Sequence, residues 1–302
     1  MKRKIFIFIG LFAILLSAFS IPVNAQSNTA FYTNANGATL TEEQYNYLID
    51  FFSETTLYTM TAEQLNFVKN ETNLTKTTET KYIKTDEFYD RTGNLIERVE
   101  TELSEEEALN YEEEPTTYAW NVTHTTSMKR LYMQVVSGSA STKIVTLTNT
   151  WLSLPSVRSF DVIALRPETN SMTINVNSGL ISGYQKWDGN VINYNSGSDN
   201  TKISSSFTGK GGIGISMNIV DDVSSTLENS MTVYFLCGAS TFKIAGTYQH
   251  ATSTVTLAQS QNYSFSSSGL GEVLDFASSV ESKYDNMRGV KLTYNYADEL
   301  YG

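Results

Sequence analysis

Residues 116–302 are divided into about a dozen short apolar or alternating segments, which are separated by turn-forming clusters such as SGSAS, WDGN and NSGSDN. No long run between these segments has the 3.6-residue periodicity of a helix. Short strands that follow one another without intervening helices pair in antiparallel order. The sequence therefore predicts a mainly β protein, with an antiparallel β-sandwich or jelly-roll-like domain in this part of the chain.

Negative charge is concentrated in the first third of the chain. Residues 42–114 contain 19 acidic and 6 basic residues, whereas residues 115–302 contain 13 acidic and 12 basic residues. Because an acidic surface repels nucleic acids and anionic lipid headgroups, we expect no nucleic-acid partner. The change in composition at the EEEP segment predicts a boundary, and the regions are a flexible lead-in at 26–40, an acidic α+β region at 41–115 and a β-sandwich domain at 116–302.

Capping boxes predict short helices in the acidic region. In a capping box, a serine or threonine and a glutamine or glutamate three residues later satisfy free N–H groups at the start of a helix. Three pairs fit this pattern, namely Thr41 with Gln44, Thr61 with Gln64, and Ser104 with Glu107. Between the second and third of these helices, extended segments on both sides of Gly93-Asn94 predict a β-hairpin with a tight turn.

Residues 1–25 have the pattern of a secretory signal peptide. Three basic residues precede an apolar run from Ile5 to about Phe19, and small side chains up to Ala25 suit signal peptidase. We therefore expect cleavage after Ala25 and secretion of a mature chain without a transmembrane segment. An uncleaved anchor is the alternative, but a spanning helix needs about 20 predominantly apolar residues. The single cysteine, Cys237, is not placed for lipidation and is expected to be a buried thiol.

Three tryptophans are candidate ligand-binding residues. Carbohydrate-binding β-sandwiches stack sugar rings on exposed aromatic side chains, and Trp120, Trp151 and Trp187 lie in or beside predicted strands. Burial in the core is the alternative, because a tryptophan side chain has a large apolar area. The predicted partners are therefore an extracellular glycan or a cell-surface protein.

Acidic residues near one predicted loop are candidate calcium ligands. Asp221, Asp222 and Glu228 offer the carboxylate oxygens that Ca²⁺ prefers, although their spacing lacks the D-x-D-x-D-G pattern. We expect no other cofactor. The GxGxxG string at 209–214 precedes an alternating strand pattern, whereas a nucleotide-binding loop of that type leads into a helix.

Asp161 and the two histidines are the remaining candidates for acid–base chemistry. Asp161 lies in the apolar segment SFDVIAL between Arg158 and Arg166, so we interpret it as a buried ion-pair partner, with a catalytic acid as the alternative. His124 and His250 lie in threonine-rich strands or strand ends, where we expect hydrogen-bonded structural roles. A zinc site or a Ser-His-Asp triad is the alternative for the histidines.

Residues 203–219 are predicted to form an amphipathic β-hairpin. Apolar side chains fall on odd positions, such as Ile213 and Ile215, and polar side chains fall on even positions. Some secreted pore-forming toxins insert such a hairpin into membranes, but a membrane-crossing strand needs about 9–11 residues and these arms are shorter. Membrane insertion is therefore an alternative that strand length disfavours.

Four segments carry a resemblance to a known group of proteins: LTEEQYNYLIDFF, MTAEQLNFVKN, RSFDVIALRP and GTYQHATSTVTLAQSQNYSFSSSGLG. The chain resembles uncharacterised secreted proteins of low-GC Gram-positive bacteria over most of its mature length. The resemblance implies export and brings no catalytic or binding motif. The leading interpretation is a non-catalytic extracellular protein that binds a glycan or cell-surface ligand, and the alternatives are a membrane-active toxin-like protein and a secreted hydrolase with carboxylate catalysis.

Overall fold

The computed structural model describes residues 30–111, 123–138, 142–169, 172–174, 180–195, 197–204, 211–220, 224–266, 273–285 and 289–295. The predicted signal peptide at residues 1–25 lies outside this part of the chain. Among the described helices, none combines the length and the apolar character needed to cross a membrane.

The described residues form mainly strands, which confirms the predicted fold class. The strands are β1 (Tyr32–Thr33), β2 (Thr39–Leu40), β3 (Thr75–Tyr89), β4 (Leu95–Leu103), β5 (Thr123–Ser137), β6 (Thr142–Ser153), β7 (Phe160–Pro167), β8 (Met172–Ile174), β9 (Ile181–Trp187), β10 (Asn190–Asn195), β11 (Thr201–Ser204), β12 (Gly212–Asn218), β13 (Leu227–Cys237), β14 (Thr241–Gln249), β15 (Tyr263–Phe265), β16 (Leu274–Phe276) and β17 (Val290–Asn295). The helices are α1 (Glu42–Leu48), α2 (Glu54–Thr59), α3 (Ala62–Val68), α4 (Glu105–Leu109) and α5 (Leu257–Ser260).

Two antiparallel sheets form the sandwich. The large sheet has eight strands, in the order β10-β9-β13-β6-β5-β3-β4 with β8 also paired to β13. The small sheet has five strands, in the order β11-β12-β7-β14-β17. The pairs β1-β2 and β15-β16 form two further small sheets.

The main apolar core fills the space between the large and small sheets. Alternate residues of a strand point to the same face, so Leu131, Met133 and Val135 of β5 all enter this core and are fully buried. Ile163 and Leu165 of β7 meet them from the small sheet. Each such side chain stabilises the fold by about 1.5–3 kcal/mol relative to an exposed position. Strand alternation thus fixes which residues remain available on the outer faces.

The large sheet crosses the boundary that we predict at residue 115. Strand β3 pairs with β5 along its whole length, from Thr75 opposite Ser137 to Tyr89 opposite Thr123. The hairpin of the acidic region is therefore part of the sandwich sheet and not a separate layer. Its tight turn is as predicted, because Gly93 adopts a φ of +82° that other residues rarely take.

Helices α1, α2 and α3 cover the outer face of the large sheet. One leucine from each, Leu48, Leu57 and Leu65, is fully buried, and their cluster includes Val136 and Ile144 of the sheet. The capping boxes predicted from the sequence begin α1, α3 and α4. The capping pattern did not predict α2, because its start lacks the second half of a capping box and is capped by a serine hydroxyl alone.

The outer face of the small sheet carries a third layer, which contains α5 and β15-β16. The sequence pattern predicts a strand at Thr254–Leu257, and this prediction is wrong. Thr256 and Gln259 form a capping box there and begin α5. The helical spacing of Val280, Tyr284 and Met287 also predicts a short helix between Ser278 and Met287. Within the described residues, this segment contains a 3₁₀ turn at Glu281–Lys283.

Strand β12 is buried on both faces, which differs from the exposed hairpin of the membrane-active alternative. The antiparallel pairing of β11 with β12 agrees with the predicted hairpin, while residues 205–210 lie outside the described residues. Ile213 and Ile215 enter the main core. On the other face, a Cβ added to Gly212 would overlap the Phe265 ring, and one added to Gly214 would overlap the Tyr263 hydroxyl. A strand enclosed in this way has no free apolar face to offer a bilayer.

Candidate functional site

A polar cavity of about 180 Å³ lies between the outer face of the large sheet and the start of α2, and it is partly open to solvent. Its position follows from strand alternation, because the odd residues of β5 enter the core and the even ones point outward. Every residue of its wall has a polar side chain: Ser53, Thr56, Arg130, Tyr132, Gln134, Thr146, Thr148, Tyr184 and Glu228. A concave wall in which every residue carries a hydrogen-bonding group can bind a ligand that has polar groups beside apolar surface.

Arg130 and Glu228 lie in the cavity wall and are connected by hydrogen bonds through Thr150. Arg130 Nη2 donates to Thr150 Oγ1 over 3.2 Å, and Thr150 Oγ1 donates to Glu228 Oε2 over 3.3 Å. Glu228 Oε1 accepts the Tyr184 hydroxyl at 2.7 Å. Burial, with the Glu228 charge as the next cause, raises the pKa of Tyr184 well above its usual value, so the tyrosine remains a neutral donor. The cavity therefore presents both a cation and an anion in a fixed arrangement.

One donor of the cavity wall has no hydrogen-bond partner. The Nε–H of Arg130 is buried, and no acceptor reaches it from the described part of the chain. A buried donor left without an acceptor costs about 1–3 kcal/mol.

Neighbouring side chains hold the rest of the wall in place. Gln134 accepts the Tyr132 hydroxyl at 3.1 Å and donates through Nε2 to the Phe51 carbonyl at 3.0 Å. The hydroxyls of Ser53 and Thr56 lie 2.8 Å apart at the cap of α2. Groups fixed in this way lose little conformational freedom when a ligand binds.

The predicted tryptophan platform is not present at Trp151. Its side chain is only 5% exposed, and its ring meets Tyr248 and His250 edge to face with centroids 5.9 and 5.1 Å apart. It therefore faces the interior, where the other inward residues of β6 lie. Trp187 is half-buried and packs against the main core, and Trp120 lies outside the described residues.

The predicted calcium ligands are only partly described. Glu228 lies in β13, and its two oxygens accept hydrogen bonds from Tyr184 and Thr150. Asp221 and Asp222 lie outside the described residues, so the calcium site stays a prediction. Within the described ranges, no cluster of three or more histidine, cysteine or acidic residues could hold a metal ion.

Asp161 is fully buried between the two sheets, but its partners are not those that we predict. His250 Nδ1 lies 3.0 Å from both carboxylate oxygens, and the Tyr248 hydroxyl donates to Oδ2 over 2.6 Å. Arg158 instead donates to backbone carbonyls, and Arg166 pairs with Glu168. Alternation explains the difference, because Asp161 occupies an inward position of β7 whereas position 166 points to the opposite face.

The Asp161–His250 pair does not form a hydrolase triad. An aspartate that orients a histidine is the second half of such a triad, and it needs a hydroxyl or thiol within hydrogen-bond reach of the other ring nitrogen. No serine, threonine or cysteine of the described residues is hydrogen-bonded to His250. Burial and the Asp161 charge raise the pKa of Tyr248 well above its usual value. The arrangement therefore supports a structural role more than catalysis.

His124 also has a carboxylate partner. Its Nε2 lies 3.0 Å from Asp86 Oδ1, and its ring stacks on Phe88 with centroids 4.8 Å apart. Burial alone would raise the pKa of Asp86, but hydrogen bonds from Lys84, Thr126 and His124 outweigh burial and lower it. The hydrogen-bonded roles predicted for both histidines are thus observed.

Comparisons with known proteins give no family. No protein family matches the sequence, and no curated protein matches it. Solved structures with some similarity include the collagen-binding domain from a Staphylococcus aureus adhesin, at 10% identity over 50% of this chain and 87% of that chain, with a TM-score of 0.26.

Two further structures have the same low similarity. One is the collagen-binding domain of the Erysipelothrix rhusiopathiae surface protein RspB, at 9% identity over 58% of this chain and 68% of that chain, with a TM-score of 0.26. The other is described as a pore-forming protein, at 9% identity over 74% of this chain and 92% of that chain, with a TM-score of 0.26. At these values none of the three indicates what this chain binds or does.

Proposed function

We propose that this chain is a secreted, non-catalytic binding protein that holds a hydroxyl-bearing unit of an extracellular glycan in the cavity beneath α2. The observation that carries the proposal is a cavity wall in which every residue has a hydrogen-bonding side chain, with donors and acceptors held near each other on the strands and at the start of α2. A sugar hydroxyl both donates and accepts, so it suits a wall in which the donors of Arg130 stand near the acceptors of Glu228.

The size of the cavity limits the ligand to a small unit. Drug-sized ligands occupy pockets of about 300–1,000 Å³, whereas this cavity measures about 180 Å³. A terminal or branching unit would enter the cavity while the rest of the chain stays in solvent.

The charges of the wall favour a neutral ligand. Arg130 and Glu228 are connected through Thr150 and offset each other, so neither an anion nor a cation meets an uncompensated partner. The tyrosine hydroxyls at the cavity also stay protonated, because burial raises the pKa of Tyr132 as it does that of Tyr184. This supports a glycan without acidic groups over nucleic acid or an acidic polysaccharide.

A glycan array with matched variants tests the proposal. Arg130→Met removes the donors, and Glu228→Gln removes the negative charge. Because a hydrogen bond to a charged group contributes about 1.5–3 kcal/mol, each change should weaken binding by roughly 10- to 150-fold. Glu97→Gln removes a charge from an exposed position of β4 and should leave binding unchanged. Absence of wild-type binding to any neutral glycan, or equal binding by all four proteins, would overturn the proposal.

A further inference from the structure

A lysine and an aspartate that are distant in sequence meet in the interior of the sandwich. Lys129 is 1% exposed and Asp285 is 2% exposed, and Lys129 Nζ is in direct contact with Asp285 Oδ2. Lys129 belongs to β5 of the large sheet, whereas Asp285 follows the bridge between Tyr284 and Ala251 next to the small sheet. The pair therefore connects the two layers.

As an ion pair, this contact uses only part of the hydrogen-bonding capacity of the lysine ammonium group. An ammonium group has three N–H donors, and Asp285 is the single hydrogen-bond acceptor that the described residues offer to Lys129. Its other neighbours are the rings of Trp151 and Tyr248, whose centroids lie 5.6 and 5.8 Å from Nζ. A charge taken out of water is tolerated only when further hydrogen bonds compensate its desolvation. The surroundings thus offer the charged pair little compensation beyond its own contact.

Both carboxylate oxygens of Asp285 have a hydrogen-bond donor, and the two donors are different. Its second oxygen, Oδ1, accepts the backbone N–H of His250 at 2.9 Å. That N–H points at the oxygen on which negative charge would develop if Cγ were attacked. The ring of the same histidine is fixed by Asp161 at 3.0 Å, so Asp161 acts as a positioning residue for this segment.

We propose that Lys129 and Asp285 condense into an intramolecular amide bond that crosslinks the two sheets. One proton passes from the ammonium to the carboxylate oxygen in contact with it, which gives an amine and a carboxylic acid. The nitrogen lone pair then forms the N–Cγ bond, the Cγ–Oδ2 bond breaks, and that oxygen leaves with a second proton from nitrogen as water. Atoms and charges balance without an oxidant or a co-reactant.

Two physical effects drive the condensation. Reacting groups held in contact have effective concentrations of about 10⁵–10⁸ M relative to the reaction between separate molecules. The product also replaces two buried charges by one neutral amide, whose oxygen keeps the hydrogen bond from His250, and the released water leaves an interior that excludes it.

Intact mass spectrometry of the purified, denatured chain tests the crosslink. The wild-type chain is expected to be lighter than its sequence by one water molecule, and a protease digest should contain one branched peptide that joins residues 129 and 285. Lys129→Arg keeps a buried positive charge but cannot form this bond, and Asp285→Ala removes the acyl group, so both should have their full sequence mass. Lys81→Arg changes a half-buried lysine that pairs with Glu102 at 2.9 Å on the other side of the sheet's hairpin, far from Asp285 in the chain, and should keep the loss of water.

The mass of the wild-type chain shows whether the crosslink forms, even if a variant fails to fold. A wild-type chain at its full sequence mass, or a digest that yields Lys129 and Asp285 in separate linear peptides, would overturn the proposal. A loss of water that persists in Lys129→Arg would place the modification elsewhere and would also overturn it.

Discussion

Gln64 connects the N-terminal helices to the large sheet, and its replacement should show how strongly they are joined. The side chain is fully buried at the start of α3. Its Nε2 donates to the carbonyls of Leu180 and Thr232 over 3.1 and 2.9 Å. Its Oε1 accepts the Ser182 hydroxyl at 2.8 Å and the Thr61 N–H at 2.9 Å. One glutamine thus closes a capping box and makes three further hydrogen bonds, to Ser182 and Thr232 in the sheet and to Leu180 directly before β9.

The cost of Gln64→Ala follows from these partners. Each net hydrogen bond contributes about 0.5–1.5 kcal/mol, and a buried group left without a partner costs about 1–3 kcal/mol. We expect the free energy of unfolding to fall by about 3–5 kcal/mol. Gln44 is a matched control, because it occupies the same capping-box position in α1 but is only half-buried and makes one further hydrogen bond, to the Lys69 carbonyl at 3.0 Å. For Gln44→Ala we expect a loss of about 1–2 kcal/mol.

Urea unfolding followed by circular dichroism measures both losses on the same scale. The slope of free energy against urea should stay unchanged, since the surface exposed on unfolding is nearly the same. If the two variants differ by less than about 0.5 kcal/mol, the hydrogen bonds of Gln64 to the sheet contribute nothing beyond the cap. The inference that α3 is fixed to the sheet through this residue would then be refuted.

Two further perturbations test the fold at other places. In the folded protein, hydrogen bonds outweigh burial and lower the pKa of Asp86 below its ordinary value of 3.8. The ionised carboxylate therefore stabilises the fold above pH 3.8, and this stabilisation is lost as the pH falls through the lower pKa of the folded state. Asp86→Asn should make the acid side of a stability-against-pH curve shallower, and an unchanged curve would contradict this. Gly214→Ala should lower the unfolding free energy by about 1–3 kcal/mol, because the new methyl overlaps Tyr263. Gly197→Ala, which has open space around its Cβ, is the control, and equal losses in a urea titration would contradict the packing.

Local signals in the sequence predict the starts of α1, α3 and α4 and the strand alternation, because both depend on residues close in the chain. The capping boxes at Thr41 and Thr61 are complete in the structure. The same signal at Thr256 lies in a run of alternating residues that predicts a strand, and the structure has a helix there. Where the two patterns overlap, the hydrogen bonds of the cap decided the local structure.

The partners of Asp161 and the cavity could not be read from local patterns. Asp161 meets His250 across 89 positions of sequence, and only the pairing of β7 with β14 brings them together. The cavity likewise combines residues of four strands and the start of a helix. Its one visible sign in the sequence is the threonine at every second position from Thr146 to Thr150, which indicates a polar outer face on β6.

The Lys129–Asp285 pair and the cavity beneath α2 both depend on the register of β5 next to Lys129. Lys129 and Arg130 are neighbours on β5, so alternation sends the first toward Asp285 and the second into the cavity wall. The register between β5 and β6 shifts next to Lys129, which leaves Leu152 without a partner on β5. A bulge at this point sets which residues face inward, because a slip of one residue would exchange the two faces. A covalent bond from Lys129 to the opposite layer would hold the register there, and with it the position of Arg130 in the cavity.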